Sequence, residues 1–219
     1  MLLLTTLCFH DKWENEFDCK NTRAGVFHAS EGDLQTRYMR QSRWIDIFIE
    51  ETFTAVPLTF QDWETMWIVL PREGLSPESL LREGFFKAFK PDWGRLVKRD
   101  VHMAIPKFDI SQDMDIIEDL QAMGIRDVFS DDSQTPCMTV DGNSIKLDQV
   151  RHSAKLSIDE KGCKASAYTS MRGIAAGGLP QTPPRYDFIV DRPFLFVLTG
   201  KGNLPLFMGI VHQPESWRC

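Results

Sequence analysis

Clustered positive charge, paired cysteines and compact catalytic motifs are all scarce in this chain of 219 residues. Lys and Arg number 25 against 31 Asp and Glu, a formal net charge of -6, and the only dense basic run is Lys98 and Arg99. A nucleic-acid backbone needs a clustered cationic face, so no nucleic-acid partner is expected. The five cysteines, Cys8, Cys19, Cys137, Cys163 and Cys219, are odd in number and include no close-spaced pair, which argues against a disulfide framework and leaves the compartment open. Five histidines offer acid, base or metal-ligand chemistry, but only Cys8 and His10 approach a ligand spacing, and that alternation reads as chance along a strand. The acidic runs at Asp109, Asp113, Asp115 and at Asp131, Asp132 lack the glycine and terminal glutamate of a calcium loop. "GKGN" lies between strands and opens no helix, so it is no phosphate loop, and no G-x-S-x-G elbow presents a nucleophilic serine. The expectation is therefore no metal, no cofactor and no enzyme activity.

Long apolar runs are also missing. The opening "MLLLTTLCF" lacks a cationic start, a long core and a small-residue cleavage site, so it reads as a buried strand rather than a signal peptide or membrane helix. No membrane partner is expected.

What is present is a succession of strands in a chain of 42% apolar and 26% charged residues. "AGVFHAS" and "LQTRYMRQS" are separated by Gly-containing breaks, and "WIDIFIEE", "FTAVPLTF" and "TMWIVLP" form a meander of β-branched and aromatic segments. Two helical stretches follow. The first begins at an N-cap Ser76 with Pro77 at the first helical position, and the second, "DWGRLVKR", comes after Pro91. "VHMAIPKFDI" alternates Val101, Met103 and Ile105 in a long strand bent at Pro106. "DMDIIEDLQAMGIRDVF" reads as an amphipathic helix capped by Gly124. "SAKLSIDE" alternates a dry face, Ala154, Leu156 and Ile158, with a wet one. "RYDFIVDRPFLFVL" and "LPLFMGIVHQ" close the chain as two strands joined by "TGKGN". With no repeat and no linker, the expectation is one α+β domain, residues 1–219, built on antiparallel sheets.

One long passage, residues 160–187, buries little. Read with period two, Cys163, Ala165, Ala167, Thr169, Met171 and Gly173 carry no charge, whereas Lys164, Ser166, Tyr168, Ser170, Arg172 and Ile174 carry both charges. It is too long for an ordinary connection, and its tail "GGLPQTPPRYD" resists regular pairing, so an exposed, extended, protease-accessible loop is expected.

"HSAKLSIDEKGCKASAYT", followed by "DRPFLFVL" and "PLFMGIVHQP", resembles the C-terminal part of the serpins, and "FHDKWENEFD", "IVLPREG", "PKFDIS" and "AMGIRDVFS" precede it in family order. By that resemblance Met1 falls inside the third strand of the family's main sheet, and the N-terminal helical half is absent. The resemblance implies a serine protease inhibitor of suicide-substrate type, in which a protease cuts the reactive loop and is trapped as an acyl-enzyme while the loop inserts as a strand. It places the hinge at Glu160, Gly162, Cys163, Ala165, Ser166, Ala167 and Thr169, with Cys163 standing where Thr or Ser is usual. Counting seventeen residues from Glu160 sets the reactive bond at Ala176-Gly177, suited to an elastase-like or subtilisin-like protease, with Arg172-Gly173 and a trypsin-like enzyme as the alternative. It aligns His152 with a histidine beneath the sheet opening, Thr5 with that histidine's partner and Trp13 with a tryptophan where insertion begins. The implied partner is a serine protease held covalently. The chain itself is expected to be a monomer with a risk of polymerisation through exposed strand edges. Residence outside the cell is expected if a longer chain carries a signal. The alternative is a truncated, non-inhibitory fragment acting as a substrate or binding module.

Overall fold

The computed structural model describes residues 2–82, 95–129, 139–140, 143–144, 147–163 and 185–214. In chain order the strands are β1 (Leu2–Cys8), β2 (Asp11–Lys12), β3 (Arg23–Ala29), β4 (Gly32–Ile49), β5 (Phe53–Thr59), β6 (Thr65–Pro71), β7 (Leu96–Pro106) and β8 (Phe108–Asp115). There follow β9 (Thr139–Val140), β10 (Asn143–Ser144), β11 (Gln149–Asp159), β12 (Gly162–Cys163), β13 (Arg185–Ile189), β14 (Phe194–Thr199) and β15 (Pro205–Val211). Helices α1 (Pro77–Leu80) and α2 (Ile117–Ala122) are short. The chain forms two compact units, one of Met1–Phe9 with Ile110–Leu156 and the other of His10–Asp109 with Ser157–Cys219.

The second unit is organised by a sheet in the order β13-β7-β4-β5-β6-β14-β15, with β3 added on β4. Its central strands are apolar on both faces, and all six residues of β14 are buried. Leu195 and Val197 pack with Phe48, Phe53, Ala55, Trp67, Val69 and Leu80. The alternate residues Phe194 and Phe196 point to the opposite face, where Phe108 meets them at 5.5 and 5.7 Å between ring centroids. Each such side chain, fully buried, stabilises the fold by roughly 1.5–3 kcal/mol.

In the first unit β1 runs parallel to β11, from Leu2 opposite Gln149 to Cys8 opposite Lys155. Asp113 on β8 accepts hydrogen bonds from Arg151 Nη1 at 3.0 Å and Ser153 Oγ at 3.1 Å. After α2, Gly124 takes φ +96 and its N–H donates to Gln121 O at 3.0 Å, the expected glycine cap.

Several expectations need correction. The opening segment is a strand, but all seven residues of β1 are exposed, Leu4 by 60%. Pairing with β11 satisfies its backbone on that side, while burial would require a covering layer. Leu96–Arg99, read as helical, belongs to β7, because Phe48 to Ile45 on β4 supply a ladder for them. The two runs "LQTRYMRQS" and "WIDIFIEE" are one strand, β4, which pairs with β3 up to Tyr38 and with β7 from Tyr38 onward. "RYDFIVDRPFLFVL" divides into β13 and β14, which pair with β7 and β6 respectively. Antiparallel pairs dominate, yet β1·β11 and β13·β7 are parallel, so the sheets are mixed. Ser76 does cap α1, its Oγ accepting from Ser79 N at 3.3 Å, with Pro77 at the first position. The rest of that expected helix, residues 83–94, lies outside the described residues.

Candidate functional site

The segment expected from sequence to be the hinge begins within the second unit. At the end of β11 the chain reverses through Glu160 and Lys161, and β12 returns antiparallel, with Cys163 opposite Ile158 and Gly162 opposite Asp159. Its other edge pairs with β2, Gly162 facing Lys12 and Cys163 facing Asp11. Gly162 has φ +131, and a Cβ there would lie 2.4 Å from Asp11 O, so the close approach of β12 to β2 requires glycine. Cys163 is buried, as a small apolar residue at the start of a strand would be.

Glu160 is 7% exposed despite its charge. Lys107 Nζ stands 2.5 Å from its Oε2, and Thr22 Oγ1 donates to Oε1 at 2.8 Å. Burial pushes this carboxyl upward. The hydrogen bonds from Lys107, from its own backbone N–H and from Thr22, with the charge of Lys107, outweigh burial and hold it below the ordinary glutamate value. The backbone is tied as well, since Phe17 N donates to Glu160 O at 2.9 Å. Trp13, buried beside this turn, donates from Nε1 to Asp159 O at 2.9 Å and from its backbone N–H to Lys161 O at 3.0 Å. Its ring stacks on Phe60 with centroids 4.2 Å apart. Charge pairing, indole packing and backbone bonds thus clamp the turn from Asp159 to Lys161, where the expected hinge begins.

In the first unit, Thr5 lies opposite His152 in the β1·β11 ladder, and Thr5 Oγ1 and His152 Nδ1 share a hydrogen bond of 3.0 Å. Thr5 Oγ1 also stands 3.3 Å from the Arg151 carbonyl, which accepts from it. A single hydroxyl proton serves one acceptor at a time, so donation to Arg151 O leaves Nδ1–H of His152 as donor to Thr5.

Of the residues named from sequence, Trp13, Glu160, Gly162 and Cys163 gather in the second unit, and Thr5 meets His152 in the first. Ala165, Ser166, Ala167, Thr169, Arg172, Gly173, Ala176 and Gly177 lie outside the described residues. Sequence reasoning missed Lys107, Thr22 and Phe60, which fix Glu160 and Trp13 in place. Their partners are distant along the chain, and no spacing rule points to them. The one available signal was the acidic residue itself, which must find a cation if it is buried.

The profile of one family, described as Serpin (serine protease inhibitor), matches residues 1–214. The chain is 30% identical over 222 residues to the alpha-1-antitrypsin homolog of Cyprinus carpio, covering 99% of this chain and 57% of that protein. It is 26% identical over 222 residues to the plasma serine protease inhibitor of Bos taurus, covering 98% and 52%. Among solved structures, human thyroxine-binding globulin complexed with thyroxine superposes with a TM-score of 0.81 at 26% identity, over 97% of this chain and 56% of that one. A highly specific serpin of the insect Tenebrio molitor gives 0.80 at 25% identity, over 98% and 56%. The chain spans about half the length of the curated relatives it matches.

Proposed function

The chain belongs to the serpin family, and from that membership we propose that it is a serine protease inhibitor of suicide-substrate type, acting as one serpin-like domain with a reactive loop at about 160–187. The reactive bond is Ala176-Gly177. The protease's serine oxygen attacks the Ala176 carbonyl, the amide bond to Gly177 breaks, and the departing amine takes the proton that the protease's histidine removed from that serine. An ester then joins Ala176 to the protease. Insertion of the freed loop as a strand drags the ester out of reach of the water that would hydrolyse it. The target is an elastase-like or subtilisin-like protease, whose shallow apolar pocket takes alanine. Residence outside the cell or at its surface would follow if a longer chain carries a signal.

The observation that carries this reading is the register of β12 on β11. Its two pairs, Ile158 with Cys163 and Asp159 with Gly162, are the first rungs of an antiparallel ladder. Continued rung by rung, the same register would set Ala165 opposite Leu156, Ala167 opposite Ala154, Thr169 opposite His152 and Met171 opposite Val150. Opposed residues share a face of a sheet, and Val150, Leu156 and Ile158 on that face are buried. The uncharged half of the loop would therefore fall on the dry face and its lysine and arginine on the wet one. Thr169 would take the place opposite His152 that Thr5 holds. A hydroxyl is exchanged for a hydroxyl, so the polar side chain of His152 keeps a partner in either arrangement.

Incubation with pancreatic elastase, subtilisin and trypsin, followed by denaturing electrophoresis, tests the proposal. An SDS-resistant adduct is expected with elastase or subtilisin, together with a released fragment beginning at Gly177. A fragment beginning at Gly173 would move the reactive bond to Arg172. A cut loop with fully active protease would make the chain a substrate.

A second reading, a non-inhibitory fragment serving as a substrate or binding module, is favoured by one feature: Leu2, Leu3, Leu4 and Leu7 of β1 are all more than 40% exposed. Sedimentation of a cooperative, soluble monomer would count against it, and concentration-dependent association would favour it.

A further inference from the structure

The turn between β5 and β6 carries a residue that neither packing nor backbone geometry calls for. Phe60 N donates to Glu64 O at 2.8 Å and Trp63 N to Phe60 O at 3.3 Å, which closes a tight loop over Gln61, Asp62 and Trp63. Trp63 has φ 77, the left-handed position that hairpin loops of this kind usually give to glycine. Here it holds the largest side chain there is, and that side chain is 84% exposed. Among the described residues no other large apolar side chain is as exposed. A strained backbone holding an indole in water points to a contact outside the chain.

Carboxylates surround it. Asp62 precedes it and Glu64 follows, and one Glu64 oxygen, Oε2, is buried with no hydrogen-bond partner among the described residues. Asp11 is brought alongside by its Oδ2, which accepts from Asp62 N at 3.1 Å, and Glu14 by its backbone N–H, which donates to Thr59 O at 2.8 Å. Opposing charges include Lys12, whose carbonyl accepts from Gln61 N at 2.9 Å, and Arg43, which is half-buried and feels the charge of Glu14. The surface is an aromatic knob with an acidic rim. It is also joined to the hinge, because Phe60 at the base of the turn stacks on Trp13, whose Nε1 bonds Asp159 O.

We propose that Trp63 anchors a docking surface for a cationic serine protease of the elastase type, a contact separate from the reactive bond. The proposal rests on the inhibitor reading above and deepens it. Tryptophan is the side chain most often found carrying binding energy at protein interfaces, where it fills an apolar recess on the partner. The carboxylates steer a basic protein toward it and repel acidic ones. They also oppose an anionic membrane, the other surface that collects exposed tryptophan.

The probe is neutrophil elastase, a strongly cationic protease, with its active-site serine replaced by alanine so that only non-covalent binding is read. The full chain should bind it at low ionic strength. Trp63→Gly should weaken binding at least tenfold and Trp63→Phe much less, while Asp62→Asn should slow association and flatten its dependence on salt. The melting temperature of Trp63→Gly should stay level or rise, because glycine suits φ 77. Absence of binding, binding indifferent to Trp63→Gly, a lowered melting temperature, or Trp63-dependent attachment to phosphatidylserine vesicles in place of elastase would overturn the proposal. The two readings fail separately. Trp63-dependent binding to the inactivated protease, with active elastase merely cutting the loop, keeps the docking surface and removes inhibition. A covalent adduct without Trp63-dependent binding does the reverse.

Discussion

Strands β14 and β1 are nearly interchangeable as strings of letters, "FLFVLT" and "LLLTTLC", yet every residue of the first is buried and every residue of the second exposed. In β14 the neighbours are β6 on one side and β15 on the other, and Phe108 packs on one face while Leu80 of α1 belongs to the cluster on the other. In β1 the ladder to β11 is complete, but its leucines meet water. Apolar, β-branched and leucine-rich composition thus selects extended backbone in both cases. Whether that backbone becomes core depends on which elements arrive from elsewhere in the chain.

The largest test of this contrast is Phe194→Ala. Phe194 is fully buried against Phe108, and its truncation should lower unfolding free energy in urea by about 3–5 kcal/mol. A loss below about 1 kcal/mol would mean that the dense core of the second unit is looser than its packing implies.

Glu160→Gln addresses the turn at the start of the proposed hinge, a buried place held by charge rather than by apolar contact. Removing the carboxylate leaves Lys107 without its counter-ion and should cost about 1.5–3 kcal/mol by the same measurement. Because the folded-state carboxyl lies below its ordinary value of 4.5, its contribution is complete above that pH and fades as pH falls through the folded value. The gap between Glu160→Gln and the wild type should therefore be full at pH 7 and close in acid. A gap that widened in acid would reverse the assigned direction of the shift.

Leu4→Ser is the smallest and sharpens the comparison from the other side. With Leu4 60% exposed, stability should change by no more than about 0.5 kcal/mol, and static light scattering should show less association. A loss approaching that of Phe194→Ala would show that β1 is covered in solution.

Local features were legible where a short-range rule governs them. Period-two alternation puts Cys163 in the uncharged set of residues 163–174, and Cys163 is buried opposite Ile158, while Ala165, Ala167 and Thr169 of the expected hinge lie outside the described residues. The cap at Ser76 and the glycine end at Gly124 were legible for the same reason, since each depends on residues a few positions away. The strand at Leu96–Arg99 was not, because its local preference was overridden by a ladder to Ile45–Phe48. Lys107 and Thr22 were invisible as partners of Glu160, as was the left-handed setting of Trp63, which reads in sequence as one more aromatic in a turn.

By itself the sequence determined most of the extended segments and caps, the period-two sorting of the loop residues, and the family to which those motifs belong. These follow from steric preference and periodicity, which act between near neighbours. Only the tertiary structure decided that β14 is core and β1 is not, that Glu160 is held by Lys107 and Thr22, and that Trp63 stands in water at a glycine position. Burial and ion pairing are properties of what surrounds a residue, and the surroundings come from parts of the chain that local pattern cannot see.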